Sequence, residues 1–133
     1  MPDFRQHLPR ECPPDESLPA EGEFFRLVSD NIMDERAFLS MREIQPKRKV
    51  KAPRTECHAC GVSLYQSRSE VDYLRRMLPD TFGSSKVARG TLSHEHGKML
   101  PTPSRPDDTH TTFWPYANAE PWIVFQLLAE DVQ

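Results

Sequence analysis

Proline constrains this chain more than any other residue type. Thirteen prolines occur in 133 residues: five in 1–22, two in 46–54, five in 99–121, and Pro79 alone between them. Each removes a backbone donor and fixes φ, so helices and interior strands must be built around them. Hydrophobic residues make up only 37% of the chain. The length fits one domain, and the composition implies a modest core within much irregular chain. Residues 1–22 are too poor in large apolar side chains to offset ordering. They are expected to be a flexible or draped arm, followed by a single domain over 23–133.

Within that domain, Phe24-Phe25-Arg26-Leu27-Val28 predicts a first strand. Asp30 is placed to cap a short helix running through Met41, with Ile32, Phe38 and Met41 buried. Val62 and Leu64 alternate with Ser63 and Tyr65, as in a half-buried strand. Ser67 and Glu70 then have capping-box spacing, and Val71, Leu74, Met77 and Leu78 line one face of a helix that Pro79 stops. Lys86 to Leu92 predicts another strand, His94 to Gly97 a polar turn, and Trp122 to Leu128 a closing strand, with a helix that has Pro121 in its first turn as the alternative. Residues 99–121 show little periodicity and are expected to form one long ordered loop. The implied class is α+β: a small, mostly antiparallel sheet from 24–28, 61–66, 86–92 and 122–128, with one main helix at 68–78. The expected core is Phe25, Val28, Val62, Leu64, Val71, Leu74, Leu78, Val87, Leu92, Ile123, Phe125 and Leu127.

Three features suggest chemistry. Cys57-His58-Ala59-Cys60-Gly61 places two thiols at the spacing of half a zinc site. His94 and His96, or His110, would complete it, and the metal would be structural. A redox role for the pair is disfavoured because a strand is expected after Gly61 rather than a helix N-terminus. The histidine-aromatic stretch gathers His110, Trp114, Tyr116 and Trp122 on a proline-stiffened loop. Stiff amphipathic rings of this kind suit binding of a protein or small-molecule partner. Asp107 and Asp108 lie beside His110, where a carboxylate could hold its imidazole in one tautomer. Lys47, Arg48, Lys49, Lys51 and Arg54 form a basic run, which reads as a solvated linker. The net charge of −3 disfavours a nucleic-acid partner.

Three cysteines make a poor disulfide framework, so the expected compartment is reducing and cytoplasmic. No apolar run approaches the ~20 residues of a membrane span, and no membrane partner is expected.

The strand order around Arg26, Ser63 and Tyr65, followed by the 67–78 helix and a strand near Val87, loosely resembles the small ADP-ribosyltransferase-like folds. That resemblance implies an NAD-using enzyme, with Arg26, Ser63 or Tyr65, and Glu120 around the dinucleotide. Two functions therefore stand side by side. One is a small binding or accessory protein working through the 94–122 segment, stabilised by zinc. The other is an NAD-using enzyme.

Overall fold

A computed structural model describes residues 2–29, 33–103 and 109–129. Its longest strands, β2 (Gly22–Val28) and β4 (Lys86–Leu92), run antiparallel in full register from Gly22↔Leu92 to Val28↔Lys86. β7 (Phe125–Leu127) pairs with the other edge of β4 to complete a three-stranded sheet. A second antiparallel sheet has the order β1 (Leu18–Pro19), β5 (Gly97–Pro101), β6 (Thr111–Pro115), β3 (Val62–Leu64). The class is α+β as the sequence implies, with the strands divided between two small sheets rather than gathered into one.

The two sheets touch where β3 ends. Tyr65 and Phe25 form an isolated antiparallel bridge, with N···O distances of 2.7 and 2.9 Å in the two directions. That bridge sets Arg26 of β2 beside the Ser63–Tyr65 end of β3.

Helix α3 (Arg68–Met77) forms as its sequence dictates. Ser67 Oγ accepts the Glu70 amide at 3.3 Å, and Val71 and Leu74 are buried. Tyr65, Phe25 and Val87 pack with those two residues in one cluster. Glu70 departs from the expected capping box. Its carboxylate accepts the backbone N–H of Thr109 instead, at 3.0 and 3.2 Å. The remaining helices are single turns: α1 (Met41–Ile44), α2 (Glu56–Ala59) and α4 (Pro79–Phe82). Asp30 and Ile32, placed in a helix by the sequence reading, lie outside the described residues. Downstream of them, a 3-10 turn at Glu35–Phe38 and α1 replace the expected helix.

The larger core unites Phe24, Phe38, Val62, Leu64, Leu92, Phe113 and Phe125. Leu78 and Ile123, expected inside, are 44% and 68% exposed. Pro79 ends the α3 pattern before Leu78 turns inward. Ile123 rides on a 3-10 turn (Pro121–Val124), which breaks the predicted 122–128 strand and leaves only β7.

The stretch 99–121 is not one long loop. β5 and β6 pair from Gly97↔Pro115 to Pro101↔Thr111, and all five residues of β6 are buried. Pro101 and Pro115 fall at the strand ends, where no ladder donor is lost.

Residues 2–22 are fastened to the domain rather than hanging from it. A disulfide joins Cys12 to Cys57. Arg5 donates to the Phe38 carbonyl and the Glu43 carboxylate, Phe4 stacks at 4.9 Å on Tyr116, and Ala20 is fully buried. The expectation that the three cysteines form no disulfide is thereby corrected. Disulfides persist in oxidising compartments, so the cytoplasmic expectation loses its cysteine argument. Among the described residues no helix is long and apolar enough to cross a membrane.

Candidate functional site

β3 and β6 are paired, with Ser63 opposite Thr112. Ser63 therefore lies next to the residue that enters β6, His110. The imidazole Nε2 is 2.9 Å from Ser63 Oγ. Its Nδ1 is 2.8 Å from Thr102 Oγ1 and 3.2 Å from the Thr102 carbonyl oxygen. A carbonyl can only accept, so Nδ1 carries the proton and Nε2 offers its lone pair to the Ser63 hydroxyl. Burial pushes the His110 pKa down to about 4, against the weaker opposing effect of the Thr102 carbonyl. The ring is thus neutral at pH 7. The Tyr65 ring meets it edge-on at 5.3 Å.

Glu70 and Thr109 fix the approach to this histidine. While Glu70 holds the Thr109 amide, Thr109 Oγ1 accepts the Gln66 amide at 3.1 Å. The start of α3 is thereby tied to the residue just before His110. Gly61 allows the chain to pass close by. A side chain there would run into Thr112, the Trp114 indole and the Phe113 carbonyl.

Arg26 reaches the same place from the other sheet. Nε donates to Ala37 O at 2.6 Å, one terminal nitrogen to Ser63 O at 2.8 Å, and the other to Leu39 O at 3.3 Å. Burial lowers its pKa to about 10, which leaves it charged at pH 7. A guanidinium has five N–H donors. Three serve these carbonyls, and among the described residues two remain.

Two clefts meet at His110. One, of about 360 Å³, is lined by Arg26, Arg48, Arg54, Gly61, Ser63, Tyr65 and His110. The other, of about 410 Å³, is lined by Pro53, Arg54, His58, Leu100, Pro101, Thr102, Pro103, His110 and Thr112. Of the four residues expected around a dinucleotide, Arg26, Ser63 and Tyr65 share the first cleft. Glu120 does not line it. That residue is exposed and precedes the Pro121–Val124 turn. His110 occupies the cleft instead.

The aromatic set expected on a binding loop is dispersed. Trp114 is fully buried and donates its indole N–H to Cys57 O at 2.9 Å. Tyr116 pairs with Phe4, and Trp122 packs partly buried against the larger core. Of that set, His110 lines both clefts described above.

The proposed zinc ligands are also separated. Cys57 is bonded to Cys12, and a disulfide sulfur is no thiolate ligand. Cys60 is buried, and burial raises its thiol to about 11. His96 Nδ1 accepts the Ser93 amide at 2.9 Å, making it a local cap, and His94 is exposed. Among the described residues no group of three or more His, Cys, Asp or Glu side chains is placed to hold a metal.

Sequence reading missed Thr102, which orients His110, and placed Arg54 in a solvated linker. Neither carries a motif. Thr102 meets His110 across the β5–β6 pairing, and Arg54 joins the clefts only through the fold. Compared with protein-family models, curated proteins and solved structures, the chain matches none of them.

Proposed function

We propose that the protein is an NAD-using enzyme of ADP-ribosyltransferase-like type, working in the Ser63–His110 cleft. One observation carries this reading: Arg26, Ser63 and Tyr65, from two different sheets, converge on one cleft with His110 hydrogen-bonded to Ser63. His110 takes the place that the sequence reading gave to Glu120. In the reaction the bond between ribose C1′ and the nicotinamide nitrogen breaks, and nicotinamide leaves with the electron pair. An acceptor oxygen forms the new bond to C1′. Its proton passes to His110 Nε2, directly or through the Ser63 hydroxyl, because that nitrogen is neutral and unprotonated at pH 7. Arg26 holds the cleft floor through three carbonyls, and its two remaining donors suit a pyrophosphate or ribose oxygen. Tyr65, packed with Phe25, Val71, Leu74 and Val87, gives the cleft a rigid wall beside His110.

The experiment is incubation of the purified full chain with NAD, with nicotinamide followed by proton NMR. Turnover is expected, reduced by a factor on the order of 10² or more in His110→Ala. If NAD binds at Ser63 and Tyr65 without being consumed, the cleft belongs to a small binding protein, the other function drawn from the sequence. Absence of any NAD-induced shift at those residues overturns both.

A further inference from the structure

We propose that the second cleft, on the Thr102 side of His110, binds a phosphomonoester carried on a flat apolar body, with Arg54 and His58 holding the phosphate.

Among the described residues, one charge in this cleft is unanswered. The partly buried arginines Arg5, Arg26, Arg42, Arg68 and Arg75 all have partners: Glu43, the three carbonyls, Glu56, Asp72 and Asp72. Arg54 is partly buried as well. Among the described residues its guanidinium has neither a hydrogen bond nor an ion pair. Desolvating a guanidinium without an acceptor is costly, so a ligand anion is its natural complement. A planar fork of N–H donors matches phosphate geometry.

A second donor lies beside it. His58 Nδ1 accepts the Thr55 amide at 3.5 Å within the N-terminal cap of α2. In the neutral ring the proton therefore sits on Nε2, which has no partner among the described residues. Burial, and after it the nearby Arg54 charge, lowers the His58 pKa. Among the described residues no carboxylate lines this cleft.

The remaining wall sets the other half of the ligand. Pro53, Pro101 and Pro103 offer rigid apolar surface that loses little freedom on contact, and about 410 Å³ accommodates a ring together with its phosphate. Inorganic phosphate would use the charges and leave this wall uncovered. If the NAD reading holds, the phosphorylated molecule lies across His110 from the dinucleotide, where an acceptor would be. The binding claim itself does not need NAD.

The test uses the full chain, isotopically labelled, titrated with phenyl phosphate and separately with inorganic phosphate, followed by amide and imidazole NMR. Phenyl phosphate is expected to shift His58, Thr102 and Thr112 and to bind about tenfold tighter than inorganic phosphate. Arg54→Gln is expected to weaken it about tenfold or more, and Lys49→Ala, in the same basic run, less than about twofold. The variant spectra report folding. Should Arg54→Gln lose its fold, His58→Gln supplies the second variant, with a severalfold loss expected. Shifts confined to 47–51 or to Ser63 and Tyr65, equal binding of the two probes, or unchanged affinity in the variants would each overturn the proposal. Failure of NAD to bind leaves these titrations as they are, and failure of phenyl phosphate leaves NAD turnover as it is. The two proposals can therefore fall separately.

Discussion

Ser63 and His110 are 47 residues apart in sequence and 2.9 Å apart in the fold, joined Oγ to Nε2. The β3–β6 ladder brings them together, and Thr102 and Glu70 keep them there from either side. His110 is held neutral by burial, with its pKa down at about 4 against about 6.5 for a free imidazole. Between those values the unfolded chain binds a proton that the folded chain refuses. Stability from this group is therefore full above about pH 6.5, falls as pH drops toward about 4, and levels off below. The expected loss is up to about 3 kcal/mol. Urea titrations of wild type and His110→Asn across this range check it. The difference between the two proteins should carry this slope, separated from that of the carboxylates.

Arg26 is a bracket across three segments as well as a candidate ligand group. Replacing it by Met leaves the carbonyls of Ala37, Leu39 and Ser63 without these donors. A loss of about 3 kcal/mol or more is expected. Arg26→Lys should recover little of it, since an ammonium cannot span the same fork. Denaturant midpoints of the two variants give the comparison. A Lys variant as stable as wild type would show that charge alone is needed here.

What could be read from sequence was local. Ser67, Val71 and Leu74 announce α3 through capping and helical spacing, and strand 86–92 forms with the residues expected. Val62, Ser63 and Leu64 alternate as a strand should. The β5–β6 hairpin was hidden because its prolines sit at strand ends, where they interrupt the pattern without breaking the ladder. Trp114 read as a surface anchor because its burial depends on pairing with β5 and β3, which no window of sequence contains. Arg26, Ser63, Tyr65 and His110 were each singled out, but under two different functions. The Phe25–Tyr65 bridge and the β3–β6 ladder unite them, and both are long-range contacts. Cys12 pairs with Cys57 for the same kind of reason: the arm folds back over 45 residues.

That disulfide closes a long loop. Chain-entropy reasoning gives about 4 kcal/mol for a loop of this length, with about 2–4 typical of measured bridges. Reduction, or Cys12→Ser, should lower the melting temperature by several degrees or more. The arm's contacts should loosen with it: Phe4 on Tyr116, and His7 with Cys60 O at 3.1 Å and Ser40 Oγ at 3.2 Å. Hydrogen exchange of the Ala117 amide, which donates to Asp3 O, is the local readout. Unchanged melting under reductant would show that those contacts hold the arm alone.

Gly61 tests how tightly the site is packed from behind. A methyl group there meets Thr112 Cγ2, the Trp114 indole nitrogen at 3.1 Å and the Phe113 carbonyl at 3.2 Å. Two of these atoms belong to buried side chains and the third to strand backbone, so none can swing away freely. Gly61→Ala is expected to cost about 1–3 kcal/mol through overpacking. The strain should also open the β3–β6 ladder, which carries Ser63 toward His110. In the variant, the His110 Nε2 resonance should move toward that of a ring without the Ser63 hydrogen bond, and NAD turnover should fall with it. Thr112→Ser removes the Cγ2 methyl and relieves the closest of the three contacts. The double variant should therefore regain part of the stability and of the His110 signature. Additive losses in this double-mutant cycle would show that the clash with Thr112 is not what the glycine avoids.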